Sequence, residues 1–365
     1  MALLVVWSHS FAIYTASEDR EPISLLMNGL YNAGNVGVLV FFIISGFLIC
    51  QSYNQRKTVR MYFERRMRRI YPGYVIATVV CAFVVIPVFS THADLSATEV
   101  FKTLGLNLLL RNYFPPSNVF DGRALNCPLW SIPFEFWCYI GLAMLGLSRL
   151  LALRWPVAAI AGLTMIIRVW LDFTGRAPGG GLVGLIIGWP YEWTVVSPCF
   201  LAGVVLYLYR DIVPRNGLVA FVGITLLIGG ANLPIDPLHR QCLVDLLFPP
   251  VVAYGVVYVA FSPGIKLHNA ARFGDFSYGT YLYAFTIQEA LLFLFGKELT
   301  FPLYVAASMA FALFAGVVSW FTVERWFLVS TPKRLSRPQI SRPVSAHWTE
   351  INFGVSGGKY ALGPV

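Results

Sequence analysis

Apolar residues fall in ten runs, at about 1–16, 35–53, 72–91, 127–148, 153–173, 193–209, 216–232, 243–262, 276–296 and 300–323. Polar or basic stretches separate them. An apolar run of roughly 20 residues is long enough to cross the hydrocarbon core of a bilayer as a helix. Each run contains Gly or Pro, which membrane helices tolerate where neighbours satisfy the freed backbone groups. The first run is broken by Ser8-His9-Ser10 and offers only about 15 residues from Met1, against the roughly 20 that a span needs. It has no basic start, so it does not read as a signal peptide. The expectation is a first helix that begins upstream of Met1. The run GLVGLIIGWP at 181–190 is too short to span and reads as a re-entrant or interfacial piece.

Charge then sets orientation. The loop at 54–70 carries Arg56, Lys57, Arg60, Arg65, Arg66, Arg68 and Arg69 against Glu64 alone. Short loops rich in Lys and Arg stay on the cytoplasmic side. Alternation puts Arg149/Arg154, Arg210/Arg215, Lys266/Arg272 and a basic tail (Arg325, Lys333, Arg334, Arg337, Arg342) on that same side. The opposite loops are mixed or acidic, with Glu18, Asp19 and Glu21 in the first. The pattern predicts an all-α, polytopic transmembrane bundle of about ten helices with both termini cytoplasmic. One membrane domain covers 1–330, and 336–365 reads as a disordered cytoplasmic tail. No internal repeat supports a transporter-like duplication.

Composition agrees. Of 365 residues, 57% are hydrophobic and only 12% charged, where soluble domains carry about 25%. The net charge of +9 lies mainly in loops, so topology explains it without a nucleic-acid partner. The six cysteines form no CxxC pair, and no disulfide framework or metal site is read from them. A Cys127–Cys242 bridge at the outer ends is an open alternative.

Ionisable residues inside spans are costly, so each is a candidate for function. They are His9 in the first run, Glu135 in the fourth, Arg168 in the fifth and Glu289 in the ninth. At about 1.5 Å per residue, His9, Glu135 and Glu289 each lie about 10 Å below the outer surface. That layer suits a buried polar site, with a carboxylate orienting the His as general base. Structural readings stand beside it: a His bonded to a backbone carbonyl, a Glu135 packed against Tyr or Trp, a hydrated Glu289. Arg168 is expected to snorkel to headgroups. In the basic loop, Arg66 and Arg69 share a helix face and could clamp a phosphate. Holding topology and touching anionic lipid is the alternative, and it covers Arg56, Lys57 and Arg60.

In order along the chain stand VVWSHS (5–10), GVLVFFIISGFLI (37–49), FERRMRRIYP (63–72), LWSIPFEFWCYI (129–140), FLAGVVLYL (200–208), GDFSYGTYLYAFTIQ (274–288) and VERW near Val323. As an ordered set they resemble the acyltransferase-3 family of membrane acyltransferases, over about 1–330. Trp326 stands where the family's closing pattern usually has Pro. The resemblance implies about ten membrane helices and transfer of an acyl group, usually acetyl, from coenzyme A to hydroxyls of cell-envelope or exported glycans. It implies His9 as catalytic base and the Arg66/Arg69 pair in handling the donor, and Glu135 matches the family's Trp-Ser…Glu position. The family's Arg about eleven positions before that His falls before Met1 here.

The combined expectation is an O-acetyltransferase of the bacterial inner membrane. Acyl-CoA, acetyl-CoA above all, serves as donor substrate, and no cofactor or metal is bound. Arg66, Arg69 and Arg65 hold the donor phosphates, His9 deprotonates the acceptor hydroxyl, and Glu135 orients or charge-stabilises His9. Ser45, Trp130, Ser131 and Tyr281 are candidate oxyanion donors, with Gln288 and Glu289 in the same second rank. The acceptor is a glycan or lipid-linked sugar. Two other classes remain open: a transporter or flippase of a lipid-linked sugar, using His9, Glu135 and Glu289 as relay groups, and a non-catalytic assembly partner.

Overall fold

A computed structural model describes residues 1–55, 58–90, 97–111, 119–262 and 273–328. The predicted tail at 336–365, and with it Lys333, Arg334, Arg337 and Arg342, lies outside the described residues, as do Arg56, Lys57, Lys266 and Arg272. Each of the ten apolar runs falls on one helix: α1 Ala2–Thr15, α2 Ala33–Asn54, α3 Val59–Phe89, α4 Cys127–Leu147, α5 Trp155–Thr174, α6 Pro190–Leu208, α7 Gly217–Ala231, α8 Pro237–Phe261, α9 Ser277–Phe295 and α10 Phe301–Leu328. Seven of these are long and apolar enough to cross a membrane. The apolar helices α1 and α7 are shorter, at 14 and 15 residues. Helix α9 has 19 residues but carries Thr280, Thr286, Gln288 and Glu289. The chain is a multi-pass, all-helical membrane protein. Its described residues hold no strand, only an isolated bridge between Ser90 and Val119. All six cysteines are free.

Polar side chains start the helices where the sequence offers them. Asn32 and Asn35 cap α2 reciprocally, and Thr58 accepts from Met61 N at the head of α3. Asn216 and Asp236 do the same for α7 and α8. Such caps satisfy backbone N–H groups that a helix leaves unpaired. Pro72 sits inside α3, and one π turn follows at Cys81–Val85.

Lipid tails are as apolar as Leu, so helices in a membrane associate by close packing. The core centres on the crossing of α2 and α6, where two glycines face each other's backbone. A Cβ on Gly46 would lie 2.0 Å from Phe200 O, and one on Gly203 would lie 2.0 Å from Ile43 O. No other residue fits either place. Helices α9 and α10 cross in the same way, with Gly279 against Gly316 Cα. Helix α1 packs on both crossings, between α2 and the α9–α10 pair. That location puts His9 inside the bundle.

Candidate active site

Helix α1 is held by polar bonds on both sides. Gln288 Nε2 on α9 donates to Val6 O and to Ser10 Oγ, each at 2.8 Å. Trp7 Nε1 donates to Glu21 Oε1 at 3.2 Å. Glu21 is fully buried, and its other oxygen accepts from Ser24 N at 2.8 Å and Ala33 N at 3.2 Å. One carboxylate thus ties α1, the following turn and the start of α2. Between these anchors His9 is half-buried, with its ring edge-on to Phe285 at 5.2 Å between centroids. Its ring nitrogens make no hydrogen bond with a described residue.

His9 lines a chamber of about 290 Å3 together with Glu18, Trp130, Arg168, Glu192, Asp245 and Tyr281. Asn32 donates to Glu18, and burial holds that loop carboxyl above its ordinary value against this bond. Arg168 Nε lies 2.9 Å from Asp172 and 3.1 Å from Asp245, and its guanidinium covers the Tyr191 ring at 4.7 Å. Tyr31 and Tyr191 donate to the two carboxylates, at 2.5 and 2.9 Å. This corrects the expected snorkelling of Arg168. With 13% of its side chain exposed, it points inward, because two buried acids on α5 and α8 hold it there. Its Nη1 is buried without a partner among the described residues. Asp172 and Asp245 were absent from the sequence-derived candidates, although both interrupt apolar runs.

A second, smaller chamber of about 100 Å3 is lined by Arg69, Glu135, Ser131, Tyr278 and Tyr281, with Met1 and Ala2. Val5, Val38 and Tyr281 line both chambers and form the septum between them. Tyr281 Oη donates to Pro128 O at 2.6 Å and lies 2.7 Å from Ser131 Oγ, which anchors the septum to the head of α4. Trp130, next in the chain, lines the His9 chamber. Its indole N–H makes no hydrogen bond with a described residue.

The ionisable groups of the second chamber are paired. Arg69 contacts Asp275 at 2.5 Å and Glu324 at 3.4 Å, over the face of Tyr278. Ser319 also donates to Glu324, at 2.8 Å. Three of the sequence motifs therefore meet in one charge cluster: FERRMRRIYP, GDFSYGTYLYAFTIQ and VERW. Tyr139, one turn on in α4, donates to Glu135. Ser45 is buried beside that pair, without a partner in hydrogen-bond geometry. Arg66 donates to Ser52 Oγ at 3.2 Å and leaves Nε without a partner among the described residues. Arg65 makes no hydrogen bond or ion pair with a described residue.

The three groups expected in one layer do not meet. His9 and Glu135 line different chambers on either side of the septum. Glu289 pairs with Arg123 at 3.3 Å instead. Arg66 and Arg69 share α3 but turn to different partners, Arg66 towards α2 and Arg69 towards α9 and α10.

The acyltransferase domain of the acyltransferase-3 family matches residues 1–321. The chain is 26% identical over 345 residues to the O-acetyl transferase of Shigella phage Sf6, covering 92% of this chain and 95% of that protein. It is 24% identical to acyltransferase MdmB of Streptomyces mycarofaciens, over 86% of this chain and 83% of that one. Nodulation protein 10 of Rhizobium leguminosarum bv. viciae is 23% identical, over 70% and 72% of the two chains. No solved structure matches the chain significantly. With the motifs, the helices and this match over nearly the whole length, the chain belongs to the acyltransferase-3 family and is an enzyme of the O-acetyltransferase type.

Proposed function

We propose that this protein moves an acetyl group from acetyl-CoA, on the cytoplasmic side of a bacterial inner membrane, to a hydroxyl of a cell-envelope glycan. The observation that carries the reading is the pair of adjoining chambers that share Val5, Val38 and Tyr281 in their walls, with the family's His on one side and its Arg motif on the other. Acetyl-CoA reaches the smaller chamber from the basic end of α3. Arg65 and Arg66 meet its phosphates, since their charges have no carboxylate partner among the described residues. Arg69, held between Asp275 and Glu324, shapes the chamber wall and adds its field. The thioester then lies at the septum. All ten helices span in this reading, with both termini in the cytoplasm.

The chemistry follows from His9. Its free ring nitrogen takes the proton of an acceptor hydroxyl as the hydroxyl oxygen attacks the thioester carbonyl. The C–O bond forms, negative charge gathers on the carbonyl oxygen, and the C–S bond then breaks. The departing thiolate takes the proton back from the imidazolium, leaving an acetyl ester and free CoA. Glu18 and Glu192 line the same chamber and favour the transient imidazolium by their charge, while the Asp245 charge is balanced by Arg168. The oxyanion needs a donor, and the uncommitted indole N–H of Trp130 suits it better than Tyr281 or Ser131, which already bond each other and Pro128 O. Glu135, bonded by Tyr139, supports the donor chamber.

The test uses membranes carrying the full chain and acetyl-CoA labelled in the acetyl group. Label in the glycan fraction with an equal amount of free thiol supports the reading. Movement of an unmodified sugar with no thiol release would instead indicate a transporter.

A further inference from the structure

The short helix Gly181–Ile187 and Trp189 after it have no part in the mechanism above. They wall a third chamber of about 370 Å3, lined by Arg111, Trp130, Phe134, Gly188, Trp189 and Glu192. Trp130 and Glu192 also line the His9 chamber, so the two spaces adjoin. The wall is fixed in place. Trp189 Nε1 donates to Pro178 O and Trp193 Nε1 donates to Ile187 O, each at 3.0 Å. Gly188 has φ +89°, and a Cβ there would come within 2.7 Å of the Phe134 ring. A non-glycine residue would push the wall off Phe134. The Trp189 ring is thus tethered at its N–H while 59% of the residue stays exposed.

We infer that this third chamber binds the sugar next to the one being acetylated, so that the acceptor is an oligosaccharide rather than a single sugar or small alcohol. This rests on the acetyl-transfer reading. A sugar ring offers an apolar C–H face and a rim of hydroxyls. Trp130, Phe134 and Trp189 offer aromatic faces for the first. Arg111 supplies donors and Glu192 an acceptor for the second. A few polar groups among aromatic walls is the usual make-up of a small-molecule site. A lipid tail would leave Arg111 and Glu192 facing hydrocarbon, at a cost. The shared Trp130 and Glu192 put the two spaces side by side, so that one occupant can continue covalently into the His9 chamber, as the next unit of a chain does.

The experiment takes the glycan that receives label in the assay above and cuts it by partial acid hydrolysis into fragments of one to six sugars. Each is offered to the full-length protein in membranes with acetyl-CoA. The wild type should show KM falling about tenfold between one-sugar and three-sugar fragments, the size of one good contact. In Trp189→Ala that ratio should collapse towards one, and Trp189→Tyr should restore part of it. Arg111→Ala, at an exposed site, should halve the ratio or more and covers the case in which Trp189→Ala fails to fold. A ratio unchanged in folded Trp189→Ala and Arg111→Ala would overturn the inference, as would a KM that follows the length of an attached alkyl chain instead of the number of sugars. Absence of label from every glycan with the wild type would overturn the acetyl-transfer reading itself, a separate result.

Discussion

The two chambers beside α1 are built on opposite plans. In the one that holds Arg69, the ionisable groups are tied to each other: Arg69 to Asp275 and Glu324, Glu135 to Tyr139. In the one that holds His9, the wall carries the Arg168–Asp245 pair and the Asn32–Glu18 bond, but other groups stay uncommitted. His9 and the Trp130 N–H make no hydrogen bond with a described residue, and Arg168 keeps a buried Nη1 without a partner among the described residues. A buried polar group without a partner costs stability and persists where something else needs it. The paired chamber is a scaffold that fixes α3, α9 and α10 together. In the proposed mechanism the His9 chamber is the reaction space, where a hydroxyl meets the thioester carbonyl. Substitutions should therefore divide into those that lose catalysis with the fold intact and those that lose the fold.

The largest expected effect is His9→Ala, which should lower kcat about 10³-fold, within the usual range for a general base, while the thermal midpoint in detergent stays near wild type. Glu324→Ala should do the reverse. Glu324 has 1% of its side chain exposed and is a partner of Arg69, so its loss leaves a guanidinium short of one partner. Breaking such a buried pair costs about 3 kcal/mol. Asp275 is 43% exposed, so Asp275→Ala should cost under about 1 kcal/mol in the same unfolding experiment. Equal losses from the two acids would break the scaffold account. Trp130→Phe keeps the ring and removes the donor. It should lower kcat about 10²-fold with the KM for acetyl-CoA unchanged, the loss expected for one oxyanion donor. The smallest effect should come from Gln288→Ala, which frees α1 at Ser10 and Val6. About tenfold in kcat is expected, since small misplacements of a catalytic group are costly, and Gln288→Glu should recover little because it removes the donating amide.

Much of this was legible in the sequence, and the reason is the bilayer. Apolar run length alone placed a helix on each of the ten runs, seven of them long and apolar enough to cross a membrane, since such helices and their polar connections differ so sharply in composition. The charge partners were not legible. Arg69 meets Asp275 and Glu324 from 206 and 255 positions away, and nothing local in the basic loop signals that its charge is already taken. Arg168 shows a different failure. Its position near the end of a run suggested snorkelling, yet Asp172 and Asp245 interrupt apolar runs of their own, and the rule that picked out His9 picks them out too. Glu21 escaped because it lies among loop acids. It is fully buried, and its carboxylate accepts from the Trp7 indole across the turn. Depth along the spans brought His9, Glu135 and Glu289 to one layer, but depth says nothing about lateral position: Tyr139 and Arg123 hold the two carboxylates, and His9 lines a different chamber from Glu135.

The most direct test of the two-chamber account is a side-by-side steady-state titration of acetyl-CoA with wild type, His9→Ala and Arg66→Ala at equal membrane protein. The account predicts that His9→Ala loses kcat at an unchanged KM for acetyl-CoA. Arg66→Ala should raise that KM by about tenfold, the loss of one charged phosphate contact, with kcat retained at saturation. Transfer by His9→Ala at the wild-type rate, or donor kinetics in Arg66→Ala that match the wild type, would contradict it.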